Sequence, residues 1–393
     1  MDWPVLLLAL TLTGIGILAL ASAAPLGGSP WTSPVLRQTV FALLGFGVLV
    51  FLLLPHYLRF RQYAYILYVG CLVLLVVLLV TVGTPEARRG VRRWFDLGLF
   101  TVQPSELAKI GLILVLARYL MYRDNLERPS ALIMPAALTV APAMLVLLQP
   151  DLGTALIFFP TLLVMLYVGG ARRLYLLTAI VIVCASVPVA YHYVLKDYQR
   201  KRIDTFLDPA QSPEGAGYQA LQSQIAIGSG GVFGRGWRNS AAYGSHPVPE
   251  RHNDFIFVVL AEEFGFAGGS LVVLLYAMFF ALCVNIAHRT REPFGRLVVT
   301  GVLTSIAVQT YVNIAMTVGL LPVTGVTLPF VSYGGTSLVT SFMMTGLVLS
   351  VSMRHVPMFD SKEFEQTLEP LKRVGLKGEG LELLAPRLIE RGK

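Results

Sequence analysis

Apolar runs of helical length dominate the chain, separated by shorter polar stretches. Residues 5–22, 35–54, 62–82, 104–121, 131–148, 152–168, 174–195, 255–287, 297–319 and 338–353 are apolar on every face. A helix needs about 20 such residues to cross hydrocarbon, whereas the strands of a membrane barrel would alternate apolar and polar positions. The pattern predicts an all-α polytopic membrane protein of about ten transmembrane helices. Residues 1–353 form the membrane domain, 196–253 a large extracytoplasmic loop between spans seven and eight, and 354–393 a cytoplasmic tail. The first run ends in Ala21-Ser22-Ala23, like a secretory signal with a small-residue cleavage site. No Lys or Arg precedes it, so it is read as an uncleaved span.

Composition agrees: of 393 residues, 55% are hydrophobic and 14% charged, against roughly 25% charged in soluble domains. Cys71, Cys184 and Cys283 each sit inside an apolar run, and no His or Cys spacing suggests a metal or a disulfide framework. The basic excess is not gathered into a soluble domain with interleaved aromatics, so nucleic acid is not an expected partner; membrane lipids are.

Charge placement changes the picture. With the N-terminus inside, every inside loop is basic, as the positive-inside rule requires. The outside loops break that rule. Loop 83–103 carries Arg88, Arg89, Arg92 and Arg93, and loop 196–253 carries Lys196, Arg200, Lys201, Arg202, Arg235, Arg238 and Arg251. Cations on the translocated side need something to favour them there, and the simplest candidate is a polyanion at the outer face, where arginine forks match phosphate oxygens; contact with anionic outer-leaflet headgroups is the alternative.

Candidate chemistry gathers on that side. Asp254 ends a polar loop just before an apolar helix, where an anion is costly without a partner or a task. Glu262 and Glu263 follow about two turns deeper. Glu106 and Lys109, three apart at the start of a span, share a face and can pair. Asp151, in Gln149-Pro150-Asp151, reads as a helix cap. Tyr218, Leu221 and Ile225 line one face of an amphipathic stretch suited to the interface. The run Gly228–Gly236 lacks the Walker ending, so it reads as flexible backbone that wraps a substrate or partner, not as a nucleotide loop. Residues 320–337, apolar but broken by Pro and Gly, read as a re-entrant loop beside a cavity.

Taken in order, these segments resemble the SEDS family of bacterial cell-wall proteins, nearer its elongation branch than its division branch. The carriers are Arg92-Arg93-Trp94, Gln103-Pro104-Ser105-Glu106-Leu107-Ala108-Lys109, Gln149-Pro150-Asp151-Leu152-Gly153-Thr154, Gly217-Tyr218-Gln219, Pro249-Glu250-Arg251-His252-Asn253-Asp254-Phe255, Glu262-Glu263 and Leu328-Pro329-Phe330-Val331-Ser332-Tyr333-Gly334-Gly335. Asn253 departs from the pattern, which more often has Thr there. The resemblance implies a peptidoglycan glycosyltransferase for cell elongation and rod shape, in the bacterial cytoplasmic membrane with its site facing outward. It would polymerise lipid II, an undecaprenyl-diphosphate disaccharide-pentapeptide, alongside a class B penicillin-binding protein, with a divalent cation such as Mg2+ or Mn2+. Asp254 matches the essential aspartate; Glu106, Lys109 and Asp151 match other polar cavity residues.

That substrate accounts for the charges. Arg92, Arg93, Arg202 and Arg251 would hold its diphosphate, and Glu263 would support the site. Asp254 would take the proton of the acceptor sugar's 4-hydroxyl, so that an α-linked donor gives a β-1,4 glycan by inversion; it could instead hold the metal. Two other classes fit less well. A lipid II flippase should show an internal repeat and charges reachable from both faces. A non-catalytic scaffold would leave the intramembrane charges without a purpose.

Overall fold

The computed structural model describes residues 2–23, 33–81, 93–96, 98, 101–122, 126, 128–193, 197–208, 216–239 and 253–354. These form twelve α-helices: α1 (Trp3–Ala23), α2 (Pro34–Leu53), α3 (Leu58–Val80), α4 (Pro104–Leu120), α5 (Ile133–Leu148), α6 (Leu152–Val168), α7 (Arg173–Tyr193), α8 (Asp197–Leu207), α9 (Ala216–Ser229), α10 (Ile256–Arg289), α11 (Pro293–Thr317) and α12 (Gly335–Met353). A two-stranded antiparallel ribbon, β1 (Phe95–Asp96) and β2 (Thr101–Val102), precedes α4.

Each of the ten apolar runs coincides with a helix, because in hydrocarbon a backbone must satisfy its own polar groups. Seven of these helices are long and apolar enough to cross a membrane: α1, α2, α3, α5 with its preceding turn, α10, α11 and α12. The fold is thus an all-α, multi-pass membrane architecture. Proline starts α2, α4 and α11, where a missing N–H costs nothing.

Helix α11 is the hub of the bundle, packed against α4, α6, α10 and α12, while α2 pairs with α12 and α3 with α4. Their contact faces form one continuous core that includes Leu112, Met165, Val299, Phe342 and Val348. The outward faces of α2, α3 and α10 expose Leu43, Phe51, Ile66, Phe266 and Leu274, as expected of surfaces meeting lipid. Leu221 and Ile225 of α9 are likewise exposed.

Two segments depart from the sequence-based expectations. The run read as a single span at 255–287 is broken: Gly265 has φ 67° and ψ −163°. The glycine-rich run after α9 is not a free wrapping loop, because it is stitched into that break. Arg235 and Gly236 N–H donate to the carbonyls of Glu262 and Glu263, and Phe266 and Ala267 N–H donate to those of Gly231 and Val232. The carbonyls and amides orphaned by the break are thereby satisfied. The fit excludes side chains: a Cβ on Gly230 would lie 2.3 Å from Ala261 O, and one on Gly234 2.0 Å from Glu263 O. Only glycines admit so close a backbone approach.

The stretch 318–334 between α11 and α12 is irregular, and residues 328–332 within it are buried in protein. Side chains replace its missing helical bonds. Gln38 donates to Ser332 O at 2.9 Å and accepts from Gly334 N at 3.3 Å. Tyr276 donates to Pro329 O. Phe330 packs edge-on against Phe279 and Phe342.

Candidate active site

A cavity of about 680 Å³ opens beside the irregular stretch 318–334. Its lining includes Arg93, Trp94, Asp96 and Gln103 from the ribbon and the approach to α4, Arg202 from α8, and Gln219 from α9. Asn253, Asp254 and Phe255 come from the turn before α10, and Val323, Gly325, Thr327 and Tyr333 from the irregular stretch. Asp254 therefore shares one cavity with Arg93 and Arg202, two of the arginines expected on the outer side. The N-cap position of α10 falls on Phe255, not on Asp254.

Main chain positions both arginines. Arg93 donates from Nε to Gln149 O at 3.3 Å and from Nη2 to Pro150 O. Arg202 donates from Nη1 to Thr324 O at 3.3 Å. The carbonyls that anchor Arg93 are neutral, so its charge remains available to an anion in the cavity. A guanidinium in a water-poor pocket is a strong, preorganised partner for phosphate.

The wall facing Asp254 is close. Gly325 has φ +75°, and a Cβ there would lie 3.4 Å from Asp254 Oδ2. Asn313 of α11 donates from Nδ2 to Asp254 O at 2.9 Å and to Val326 O at 2.6 Å.

Four predicted site residues are not among those lining the cavity. Glu106 and Lys109 form a buried ion pair at 2.8 Å. Lys109 also donates to Gln309 Oε1 at 2.6 Å, and Gln309 Nε2 donates to Thr327 O at 3.0 Å. The pair thus braces a cavity wall from behind. Asp151 caps α6, accepting from Thr154 N at 3.3 Å and Thr154 Oγ1 at 2.9 Å, and it also accepts from Gln103 Nε2 at 3.1 Å. Glu263 lies at the break in α10, where it accepts from Ser22 Oγ and, at 3.2 Å, from Arg238 N. Arg92 and Arg251 lie outside the described residues.

Sequence reasoning passed over Gln309, Asn313 and Gln38. The signal was present: buried amides in apolar helices need partners, and Gln309 and Asn313 are spaced to share a face of α11.

Among the described residues no three His, Cys, Asp or Glu side chains converge as a metal cage. Mg2+ commonly uses one or two carboxylates plus substrate phosphates, and Asp254, sharing its cavity with Arg93 and Arg202, suits that shared arrangement.

A multi-pass helical membrane protein with a polar cavity at the mouths of its helices is what fold and site define. Residues 3–356 match the family described as cell cycle protein, which takes in FtsW, RodA and SpoVE, and the chain belongs to that family. It is 36% identical over 360 residues to the probable peptidoglycan glycosyltransferase FtsW of Geobacter sulfurreducens, covering 90% of this chain and 95% of that one. It is 40% identical over 295 residues to the peptidoglycan glycosyltransferase MrdB of Escherichia coli, covering 74% and 78%. Among solved structures, a chain from a peptidoglycan synthase complex superposes with TM-score 0.78 at 34% identity, covering 91% of this chain and 98% of that one. The rod shape determining protein RodA of Thermus thermophilus gives 0.68 at 32% identity, covering 90% and 97%.

Proposed function

We infer that this chain is a peptidoglycan glycosyltransferase that polymerises lipid II into β-1,4 glycan for cell elongation, at the outer face of the bacterial cytoplasmic membrane. The observation that carries this reading is the single cavity shared by Asp254, Arg93 and Arg202. The acid and the cations arrive from separate elements, as a site for a pyrophosphate-linked sugar requires. The names of the relatives support the activity. The likeness to a chain of a peptidoglycan synthase complex supports a transpeptidase partner of the class B penicillin-binding type.

In the proposed reaction the acceptor's 4-hydroxyl attacks the anomeric carbon of the donor. Asp254 takes the hydroxyl proton as the new C–O bond forms, and the bond from that carbon to the diphosphate oxygen breaks. The electron pair leaves on the polyprenyl diphosphate, and Arg93 and Arg202 stabilise the charge that develops there. Were Asp254 instead to hold a divalent cation together with the diphosphate, the cation would neutralise part of the same charge and another group would have to take the proton.

The test is polymerisation by the purified protein, alone and with its transpeptidase, given lipid II and Mg2+ or Mn2+. Glycan ladders should form, and Asp254→Asn should lower their rate by about 100-fold or more, the usual contribution of a positioned base, while the variant elutes as the wild type does. Ladders undiminished in Asp254→Asn would remove Asp254 from the centre. Lipid II moving between leaflets without ladders would replace the enzyme reading with that of a flippase.

A further inference from the structure

We propose that Asn313 is a positioning residue of this site, acting with Gln309 as a two-amide bracket on α11 that sets where the Asp254 carboxylate stands. The proposal rests on the reading of Asp254 given above and extends it to residues that do not line the cavity.

Asn313 is fully buried. Both partners of its Nδ2 are main-chain carbonyls, which can only accept, so the orientation of the amide is fixed by chemistry. One N–H holds the carbonyl of Asp254 itself, and the other holds Val326 O in the opposite wall. The two walls are joined through a single nitrogen.

Neither segment is helical. Asp254 sits in the turn before α10 begins at Ile256. Residues 322–328 lack a helical ladder, and carbonyls buried among them must find donors elsewhere in the protein. Two successive carbonyls, Val326 O and Thr327 O, are met by two amides four residues apart on one face of α11. Gly325, next in the same wall, faces the carboxylate: a Cβ there would lie 3.4 Å from Asp254 Oδ2. A shift of this wall would reach Asp254 through Asn313, which holds the main chain of both.

The bracket is anchored behind. Gln309 Oε1 accepts from Lys109, and Lys109 is held by Glu106. The buried ion pair, Gln309 and the wall form one chain of contacts ending at Thr327, whose hydroxyl shares a 2.8 Å hydrogen bond with Ser337 at the start of α12. Glu106 and Lys109 reach the chemistry through this chain without touching the cavity.

The experiment compares wild type, Asn313→Ala and Gln309→Glu in the polymerisation assay, together with amide hydrogen exchange. Gln309→Glu keeps the acceptor for Lys109 and removes the donor to Thr327, so it tests the bracket if Asn313→Ala folds poorly. A displacement of about 1 Å at a reacting group can cost roughly 100-fold. We expect kcat to fall about 10- to 100-fold in Asn313→Ala and less in Gln309→Glu, with KM for lipid II changed less than about 3-fold. Exchange should quicken in 254–258 and 324–328 together in Asn313→Ala, and in 324–328 in Gln309→Glu. Folded variants with unchanged kcat, a loss confined to KM, or unchanged exchange in these segments would overturn the bracket. If wild type makes no polymer, the enzyme reading fails, and the exchange data alone judge the bracket.

Discussion

Lys109 is among the largest fully buried side chains of the protein. Its ammonium lies between Glu106 at 2.8 Å and Gln309 at 2.6 Å. Removing one member of a buried ion pair strands the other charge at about 3–5 kcal/mol, while replacing both with apolar groups is often nearly neutral. Glu106→Met and Lys109→Met should each lower thermal stability markedly. The double variant should regain much of that loss without regaining polymerisation, because the contact to Gln309 is still missing. Thermal unfolding in detergent and the ladder assay read the two effects separately; a double variant less stable than either single one would contradict this account. The pairing was legible in the sequence because Glu106 and Lys109 fall three apart at a helix start. Its third member was not, since nothing local ties Gln309 to a lysine 200 positions earlier.

At the scale of elements, the break in α10 shows where sequence reading stops. Ten helices were legible because run length and apolarity are local properties. The break at Gly265 was hidden, because Phe264-Gly265-Phe266-Ala267-Gly268 continues the apolar pattern and glycine is common in membrane helices. Its cause lies some thirty residues upstream, in a loop whose glycines looked like flexibility. Asp254 could be read from its position at a helix mouth, but the amides that hold its backbone could not. The glycines can be tested singly. Gly234→Ala would force a Cβ to 2.0 Å from Glu263 O at φ +82°, while Gly228→Ala meets open space. The first should cost several kcal/mol, from strain and displaced backbone, and the second should be neutral or slightly stabilising in α9. Equal melting temperatures for the two variants would refute the stitched geometry.

Across the whole molecule, the arginines of loops 83–103 and 196–253, whose expected placement outside breaks the positive-inside rule, were the most informative sequence feature. Two of them, Arg93 and Arg202, line the cavity with Asp254, although they lie more than a hundred positions apart. The loop stitched into α10 has a different consequence, one for the continuity of the polypeptide. Four main-chain hydrogen bonds, and the grip of Glu263 on Ser22 and Arg238, join the chain before residue 240 to the chain beyond residue 252. These contacts should hold the two sides together without the peptide bonds between those points. A protease site inserted at 244–245 and cut in the purified protein should leave two fragments that travel as one particle in detergent and come apart on denaturation. Adding Gly234→Ala should make the severed halves separate more readily.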